Sequence, residues 1–180
     1  MLTGIGYGAF YNCKSLSEIN IPATVKYIGD EMTSFSVCGT FANTGLLSII
    51  LPSGIHIISS STFQYCNNLV SVTVPNNVKV IGHSAFASCT QLQEVILNEG
   101  LEEISENAFC NCDGLKDITI PKSVNKIGNN VFSFSRLCQP DRRYNPWIEY
   151  DQNPSITIHC YPGSFSQEFF RGKIKCVKAD

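Results

Sequence analysis

Residues 81–103 read IGHSAFASCTQLQEVILNEGLEE, and this stretch decides the fold. Its pattern of residue types returns along the chain at residues 5–27, 28–57 (interrupted), 58–80, 104–126 and from 127 onward. The regular period is 23 residues. A unit of this size cannot bury its apolar face alone, so its copies must stack side by side around one continuous core. The sequence therefore predicts a solenoid.

An isoleucine opens each unit, and a phenylalanine follows five residues later. These phenylalanines are Phe10, Phe63, Phe86, Phe109 and Phe132, with Phe41 displaced by an insertion. We expect the rings to form an aromatic spine between the coils, and burial of each ring contributes about 2–3 kcal/mol. The AFxxC segment around each ring is too short for a full helix and favours a single 3₁₀ or α turn.

Each unit continues with two aliphatic residues separated by one position, as in Val72 and Val74. This alternation predicts a short strand with one buried face, and in the last unit the pair is Ile156 and Ile158. A proline closes most of the strands, with Asn98 and His159 as the exceptions. The residue between the buried pair points outward, which predicts an exposed row made of Asn20, Ile50, Thr73, Ile96, Thr119 and Thr157.

Four of the nine cysteines share one position of the repeat, three residues after the phenylalanine: Cys13, Cys66, Cys89 and Cys112. A residue type fixed by its repeat position indicates packing, because a buried thiol behaves as a small hydrophobe that also donates weakly to the backbone. Stacked coils lie about 4.8 Å apart, within the Cα distance of a disulfide, but parallel Cβ vectors disfavour such bonds. We therefore interpret this column as core residues.

Two insertions interrupt the period, at residues 32–39 and 133–155. The second carries the only tryptophan and several other side chains of interest: Arg142, Arg143, Tyr144, Trp147 and Tyr150. Insertions in a solenoid map to loops on one face, and that face often binds a partner.

The repeat pattern ends after residue 158. Ser164 is then placed to cap a short helix, with Gln167 three residues on, and Gly172 to end it. A last strand is expected at residues 174–177. We accordingly divide the chain into a solenoid, residues 1–158, and a C-terminal cap, residues 159–180, that covers the last open coil.

The pattern IGxxAFxxCxxLxxIxIPxxVxx, seen at residues 5–27, 81–103 and 104–126, resembles the BspA-type (treponemal) class of leucine-rich repeats. The ending PGSFSQEFFRGKIKCV also looks like a terminal segment common in that family. The resemblance implies a curved, right-handed solenoid of about six repeats with short parallel strands and turns. It further implies a surface or secreted protein of a host-associated bacterium or mucosal protist. Some proteins of that family bind host matrix proteins or other cells, and many have no known partner. The resemblance brings no catalytic residue.

Composition excludes some partners and leaves the location open. The net charge is −2 and charged residues make up 16% of the chain, so no basic stripe indicates nucleic acid or an anionic membrane. There is no apolar run long enough to insert into a membrane and no signal-peptide pattern. The resemblance implies an extracellular or cell-surface protein, whereas the missing signal peptide also allows a cytoplasmic one. A repeat begins at Ile5 without a capping element, so we expect a piece of a longer protein.

The sequence offers no constellation for catalysis. His56, His83 and His159 stand in different units at different repeat positions, and no CxxC pair is present. The column thiols lack a cationic neighbour that would lower their pKa and make them nucleophilic. We therefore expect no enzyme, no cofactor and no metal site.

Two surfaces are candidates for binding. Ile50 and Ile96 in the outward row, with Leu47 and Val70 beside them, are more apolar than a solvated row requires. The insertion at 133–155 holds the aromatic and arginine residues that dominate binding hot spots, although the same loop would also serve to cover the last coil with Trp147 as a plug. The leading hypothesis is a non-enzymatic protein-protein or cell-surface interaction module. The alternative is a structural spacer or scaffold within a larger surface protein, without a specific ligand.

Overall fold

The computed structural model describes residues 1–29, 38–134, 151–152, 155–171 and 175–179. The elements in these ranges are β1 (Gly4–Ile5), β2 (Tyr27–Ile28), β3 (Ser48–Ile50), β4 (Ile57–Ile58), β5 (Ser71–Thr73), β6 (Val80–Ile81), β7 (Glu94–Ile96), β8 (Glu103–Ile104), β9 (Asp117–Ile120), β10 (Lys126–Ile127), β11 (Ser133–Phe134), β12 (Asp151–Gln152), β13 (Thr157–Cys160), α1 (Phe165–Phe170) and β14 (Lys175–Lys178).

Parallel pairing between equivalent strands of neighbouring repeats builds the solenoid. Strands β4, β6, β8 and β10 form one sheet, in which Ile81 lies opposite Ile58 on one side and Ile104 on the other. Strands β3, β5 and β7 form another, with Val72 opposite Val95. The register advances by one 23-residue repeat at each step, so every column of the sequence becomes a row along the solenoid. The predicted leucine-rich-repeat solenoid is confirmed.

The phenylalanines form the predicted spine. Six rings stack with nearly parallel planes, and neighbouring centroids lie between 5.2 Å (Phe63 and Phe86) and 5.7 Å (Phe109 and Phe132) apart. Phe41, Phe63, Phe86 and Phe109 are fully buried, whereas Phe10 in the first coil is only partly buried. Leucine and isoleucine columns on either side complete one continuous core.

The segment around each phenylalanine is a single tight turn that does not continue into a helix. Within the fourth coil the Ala87 N–H donates to the Ser84 C=O, a bond to the third residue back as in a 3₁₀ turn. The next residue, Ser88, is left-handed at φ 63° and donates instead to the Cys110 C=O of the following coil. Left-handed residues recur two positions before and after most of the rings, which stops the turn from propagating and ties each coil to its neighbour.

The C-terminal elements continue the last described coil. Ser164 caps α1, since its Oγ accepts a hydrogen bond from the Gln167 N–H at 3.3 Å, as predicted. The Phe170 ring packs against Phe132 at 5.9 Å and so meets the end of the spine. Strand β14 pairs in parallel with β13, close to the strand expected at 174–177. The division into a solenoid and a cap stays a prediction.

One alignment from the sequence was wrong by two residues. We expected Ile156 and Ile158 to be the buried pair of the last strand, but Ile158 lies opposite Ile118 and Cys160 lies opposite Ile120. Side chains alternate between faces in a strand, so a slip of two keeps the same face buried, and a cysteine fills the second site as well as an aliphatic residue. His159 therefore belongs to the outward row in place of Thr157, and it is not at the proline position.

Candidate functional site

The outward row, which we define as Ile50, Thr73, Ile96, Thr119 and His159, lies on strands β3, β5, β7, β9 and β13. Ile50 is 87% exposed and Ile96 is 45% exposed. Thr73 lies opposite both in the strand register, so the two isoleucines are neighbours of one threonine and not of each other. The row is exposed as predicted, but its apolar residues are spaced apart.

Leu47 and Val70 form a closer apolar pair. They occupy the same column on adjacent coils, and the Val70 N–H donates to the Leu47 C=O at 3.0 Å. Leu47 is 54% exposed and Val70 is 41% exposed. Both residues directly precede strands of the sheet that carries Ile50, so the apolar surface lies at the beginning and on the outer side of these strands.

The loop residues singled out in the sequence fall outside the described part of the chain. Arg142, Arg143, Tyr144, Trp147 and Tyr150 belong to residues 135–150. Strands β11 and β12, which flank that segment, pair with each other in antiparallel fashion, with Ser133 opposite Gln152. The role of the insertion in binding therefore stays a prediction.

A groove between β7 and β9 is the feature that sequence analysis missed. The two strands are equivalent and adjacent, yet β7 pairs with β5 and β9 pairs with β13. The sheet opens between them, and a groove of ≈ 520 Å³ lies there, lined by Gln93, Glu94, Val95, Ile96, Leu97, Asp117, Ile118, Thr119 and His159. Three members of the outward row, Ile96, Thr119 and His159, thus share one depression.

Two acidic residues follow each other in one column at this point of the sheet. The strand register places Ser48, Ser71 and Glu94 in one column, and Asp117 occupies the same column one repeat later. Like charges at facing positions destabilise strand pairing. Glu94 and Asp117 follow each other in this column, so their like charges disfavour pairing of β7 with β9. A column-by-column charge comparison would have drawn attention to this place.

Hydrogen bonding differs across the opening. The Val70 C=O accepts from the Gln93 N–H at 2.8 Å, and the Lys116 C=O accepts from the Thr157 N–H at 2.7 Å. Within the described ranges, the equivalent Gln93 C=O accepts no such bond from the following coil. On the far side, His159 Nε2 lies 3.2 Å from Oδ1 of Asp117, whose side chain is 68% exposed.

The column thiols are core groups. The Cys66, Cys89 and Cys112 thiols are buried, and each donates to the phenylalanine C=O of the preceding coil at 3.1–3.2 Å. Burial raises the pKa of all three, that of Cys112 to about 12. Such thiols stay neutral and non-nucleophilic at pH 7. Cys13 departs from the prediction, since its side chain is exposed.

The remaining titratable residues are dispersed. Burial lowers the pKa of His83, and the nearby Glu106 partly opposes this. No group of three or more histidine, cysteine or acidic side chains is arranged to hold a metal in the described part of the chain. The one helix of that part, α1, is far too short to cross a bilayer, and no other described segment provides a spanning helix.

The stacked parallel coils, the phenylalanine spine and the outward strand row define a leucine-rich-repeat solenoid. The chain belongs to the BspA-type leucine-rich repeat family, whose repeat is matched six times over residues 3–139. Proteins of this kind are generally interaction or surface modules and typically not enzymes.

Solved structures of bacterial proteins share this fold. A leucine-rich repeat protein from Eubacterium ventriosum is 27% identical with a TM-score of 0.60, over 82% of this chain and 37% of that one. A leucine-rich cell surface protein from Faecalibacterium prausnitzii is 22% identical with a TM-score of 0.58, over 99% of this chain and 52% of that one. The pneumococcal vaccine antigen PcpA is 16% identical with a TM-score of 0.50, over 99% and 60%.

The chain spans between 37% and 60% of the length of these three solved relatives. No curated protein matches it.

Proposed function

We propose that this chain is a non-enzymatic binding module that recognises a protein partner through the outward row and the insertion at 133–155. The exposure of Ile50 carries the proposal. An isoleucine that is 87% exposed at the end of a strand contributes nothing to the core, and burying it against a partner would stabilise a complex.

The surroundings of Ile50 support a contact area larger than one side chain. Leu47 and Val70 form an exposed apolar pair just before two strands of the sheet that carries Ile50. Interfaces combine such apolar centres with a polar rim, and Ser48, Ser71 and Thr73 supply short polar side chains around them. The insertion adds Trp147, two arginines and two tyrosines by sequence.

We further propose that the protein acts at a cell surface or outside the cell and that its partner is a host matrix or cell-surface protein. The family is one of surface and interaction modules, and the similar protein from F. prausnitzii is described as a cell surface protein.

A binding screen tests the proposal. The chain would be immobilised and exposed to purified host matrix and cell-surface proteins, with affinity measured by surface plasmon resonance. For any partner found, Ile50→Asn and the double variant Leu47→Ser with Val70→Ser should weaken binding at least about tenfold, since hot-spot truncation costs on the order of 2 kcal/mol. Tyr11→Ser is the matched control, because Tyr11 is an exposed apolar residue of a turn and not of the row. Equal losses in the control and the row variants would refute the proposal.

A spacer role is the second candidate. Bonds between the phenylalanine turns of neighbouring coils, such as Phe86 N–H to Ala108 C=O at 2.8 Å, make the solenoid suitable for holding other parts of a protein apart. This candidate predicts that the screen finds no specific partner. It also predicts that Ile50→Asn leaves function in the full-length protein unchanged.

A further inference from the structure

We propose that the groove between β7 and β9 is a subsite for an arginine side chain presented by an extended segment of the protein partner. The proposal deepens the proposed function and rests on it, since the groove lies within the outward strand surface. It adds the chemistry of the residue that the surface selects.

The groove offers acceptors, and the side chain in its described lining that can carry a positive charge is His159, which lies 3.2 Å from Asp117 Oδ1. Glu94 stands at the start of β7 and Asp117 at the start of β9, so their carboxylates flank the opening from its two strands. The Gln93 C=O between coils adds a third acceptor, because it lacks the bond that the Val70 and Lys116 carbonyls accept. Among the described residues that line the groove, there is no lysine or arginine. The nearby Lys116 ammonium is directed to the Asp113 C=O at 2.7 Å.

The groove also has an apolar wall. Ile96 is 45% exposed on β7, two residues after Glu94 and therefore on the same outward face. A long basic side chain lays its methylene stem on such a surface and keeps its charged end beside the acceptors. The combination of one apolar wall and two carboxylates is thus complementary to an amphipathic cation.

Arginine fits this arrangement better than lysine. The acceptors lie on two strands, and the planar guanidinium carries five donors in fixed directions that reach several oxygens at once. His159, on β13, contacts Oδ1 of Asp117 at 3.2 Å. This contact orients the Asp117 carboxylate from the β13 side. A lysine ammonium is a compact point charge and meets fewer of these acceptors in one position.

The spacing of the strands limits how a partner can enter. Strands β7 and β9 remain close neighbours and leave no room for a whole strand between them. A partner segment therefore lies across the face and presents a side chain to the groove.

A peptide titration tests the proposal. The ¹⁵N-labelled chain would be titrated with acetyl-Ser-Thr-Arg-Thr-Ser-amide, and with two analogues in which citrulline or lysine replaces arginine. The arginine peptide should shift the amide signals of residues 93–97 and 117–119. Citrulline keeps the shape and removes the charge, so its peptide should bind at least about tenfold more weakly, and the lysine peptide about threefold more weakly.

Variants locate the site. Glu94→Gln and Asp117→Asn should each weaken the arginine peptide about fivefold. Glu18→Gln is the matched control and should leave its affinity unchanged, because Glu18 occupies the same repeat position as Glu94 in the first coil, away from the groove. Equal affinity of the arginine peptide and either analogue, or no effect of both groove variants, would overturn the proposal. So would the absence of shifts in the groove at about 10 mM peptide, a concentration that detects even millimolar binding.

The two proposals fail in different ways. In one outcome, Ile50→Asn alone weakens the binding of a protein partner while Glu94→Gln and Asp117→Asn do not. That outcome would support the outward row as the binding surface and refute the arginine subsite. A partner that binds all three variants as tightly as the native chain would refute both proposals.

Discussion

The Cys89 thiol donates a hydrogen bond to the Phe63 C=O of the preceding coil, with sulfur and oxygen 3.1 Å apart. Cys66 and Cys112 repeat this contact to Phe41 and Phe86, so the thiol column joins the phenylalanine turns along the solenoid. The same carbonyl also accepts from the Cys66 N–H at 3.1 Å, so the thiol adds a second bond to an acceptor that is already engaged.

We predict that Cys89→Ala lowers the free energy of unfolding by about 2 kcal/mol, through the lost hydrogen bond and the small cavity left by the sulfur. Cys89→Ser should cost less, since its hydroxyl still donates. Cys13→Ala is the control and should change stability by less than about 0.5 kcal/mol, because Cys13 is exposed. Urea denaturation under reducing conditions measures all three, and a loss in the serine variant as large as that in the alanine variant would contradict the hydrogen-bond interpretation.

Phe86, in the middle of the spine, should contribute far more to the free energy of unfolding than Phe10, the first ring. Phe86 is fully buried between two parallel rings at 5.2 and 5.3 Å, so Phe86→Ala should cost about 3–5 kcal/mol. Phe10 has one stacked neighbour and is only partly buried, so Phe10→Ala should cost clearly less. Denaturation curves of both variants provide the comparison. A cost below about 1 kcal/mol for Phe86→Ala would show that the spine does not stabilise the fold.

Gly82, at the second position of its repeat, is closely approached by backbone of the neighbouring coil. A Cβ on Gly82 would lie 2.8 Å from the Ser60 N and 2.9 Å from the Ile58 O, whereas a Cβ on Gly6 would meet nothing within 4 Å. Gly82→Ala should therefore destabilise by about 1–3 kcal/mol or more, because backbone atoms must move apart. Gly6→Ala should be neutral or slightly stabilising, by up to about 1 kcal/mol. Thermal melting of the two variants tests this, and equal melting temperatures would contradict it.

The sequence predicted the fold because burial dictates residue type in each column. Phe86 and its equivalents bury their rings against the equivalent rings of adjacent repeats, so the spine and the strand register follow from the period. The slip in the last strand arose because Ile156, Ile158 and Cys160 all suit a buried face, and the preceding insertion removes the spacing that would have distinguished them.

The groove between β7 and β9 was harder to predict from the sequence than the fold. Glu94 and Asp117 are ordinary surface residues when each repeat is considered alone, and only a comparison of successive repeats shows two like charges at facing positions beside the opening. The exposure of Ile50 and Ile96 was predictable from strand alternation and is confirmed, whereas Leu47 and Val70 are exposed because they precede their strands. Their part in binding stays a prediction, because exposure does not identify a partner.

The buried thiols should make the fold sensitive to alkaline pH. Burial raises the pKa of Cys112 from the ordinary 9.0 to about 12, and that of Cys66 and Cys89 also rises. The folded protein thus keeps protons that the unfolded chain releases, and stability falls as the pH rises above about 9 toward 12. Below pH 9 this contribution is fully present. Denaturation at a series of pH values should show a shallower decline for Cys112→Ala than for the native chain; identical slopes would contradict the assignment.

The insertion at 133–155 can be tested without knowledge of its conformation. Tryptophan and arginine dominate hot spots, so the triple variant Arg142→Ala, Arg143→Ala and Trp147→Ala should abolish binding to a partner that contacts this loop. If these side chains serve only that contact, the melting temperature should stay nearly unchanged, within about 2–4 °C. Surface plasmon resonance and calorimetry on the same samples measure both quantities. A large loss of stability with binding intact would instead indicate that Trp147 covers the last coil as a plug.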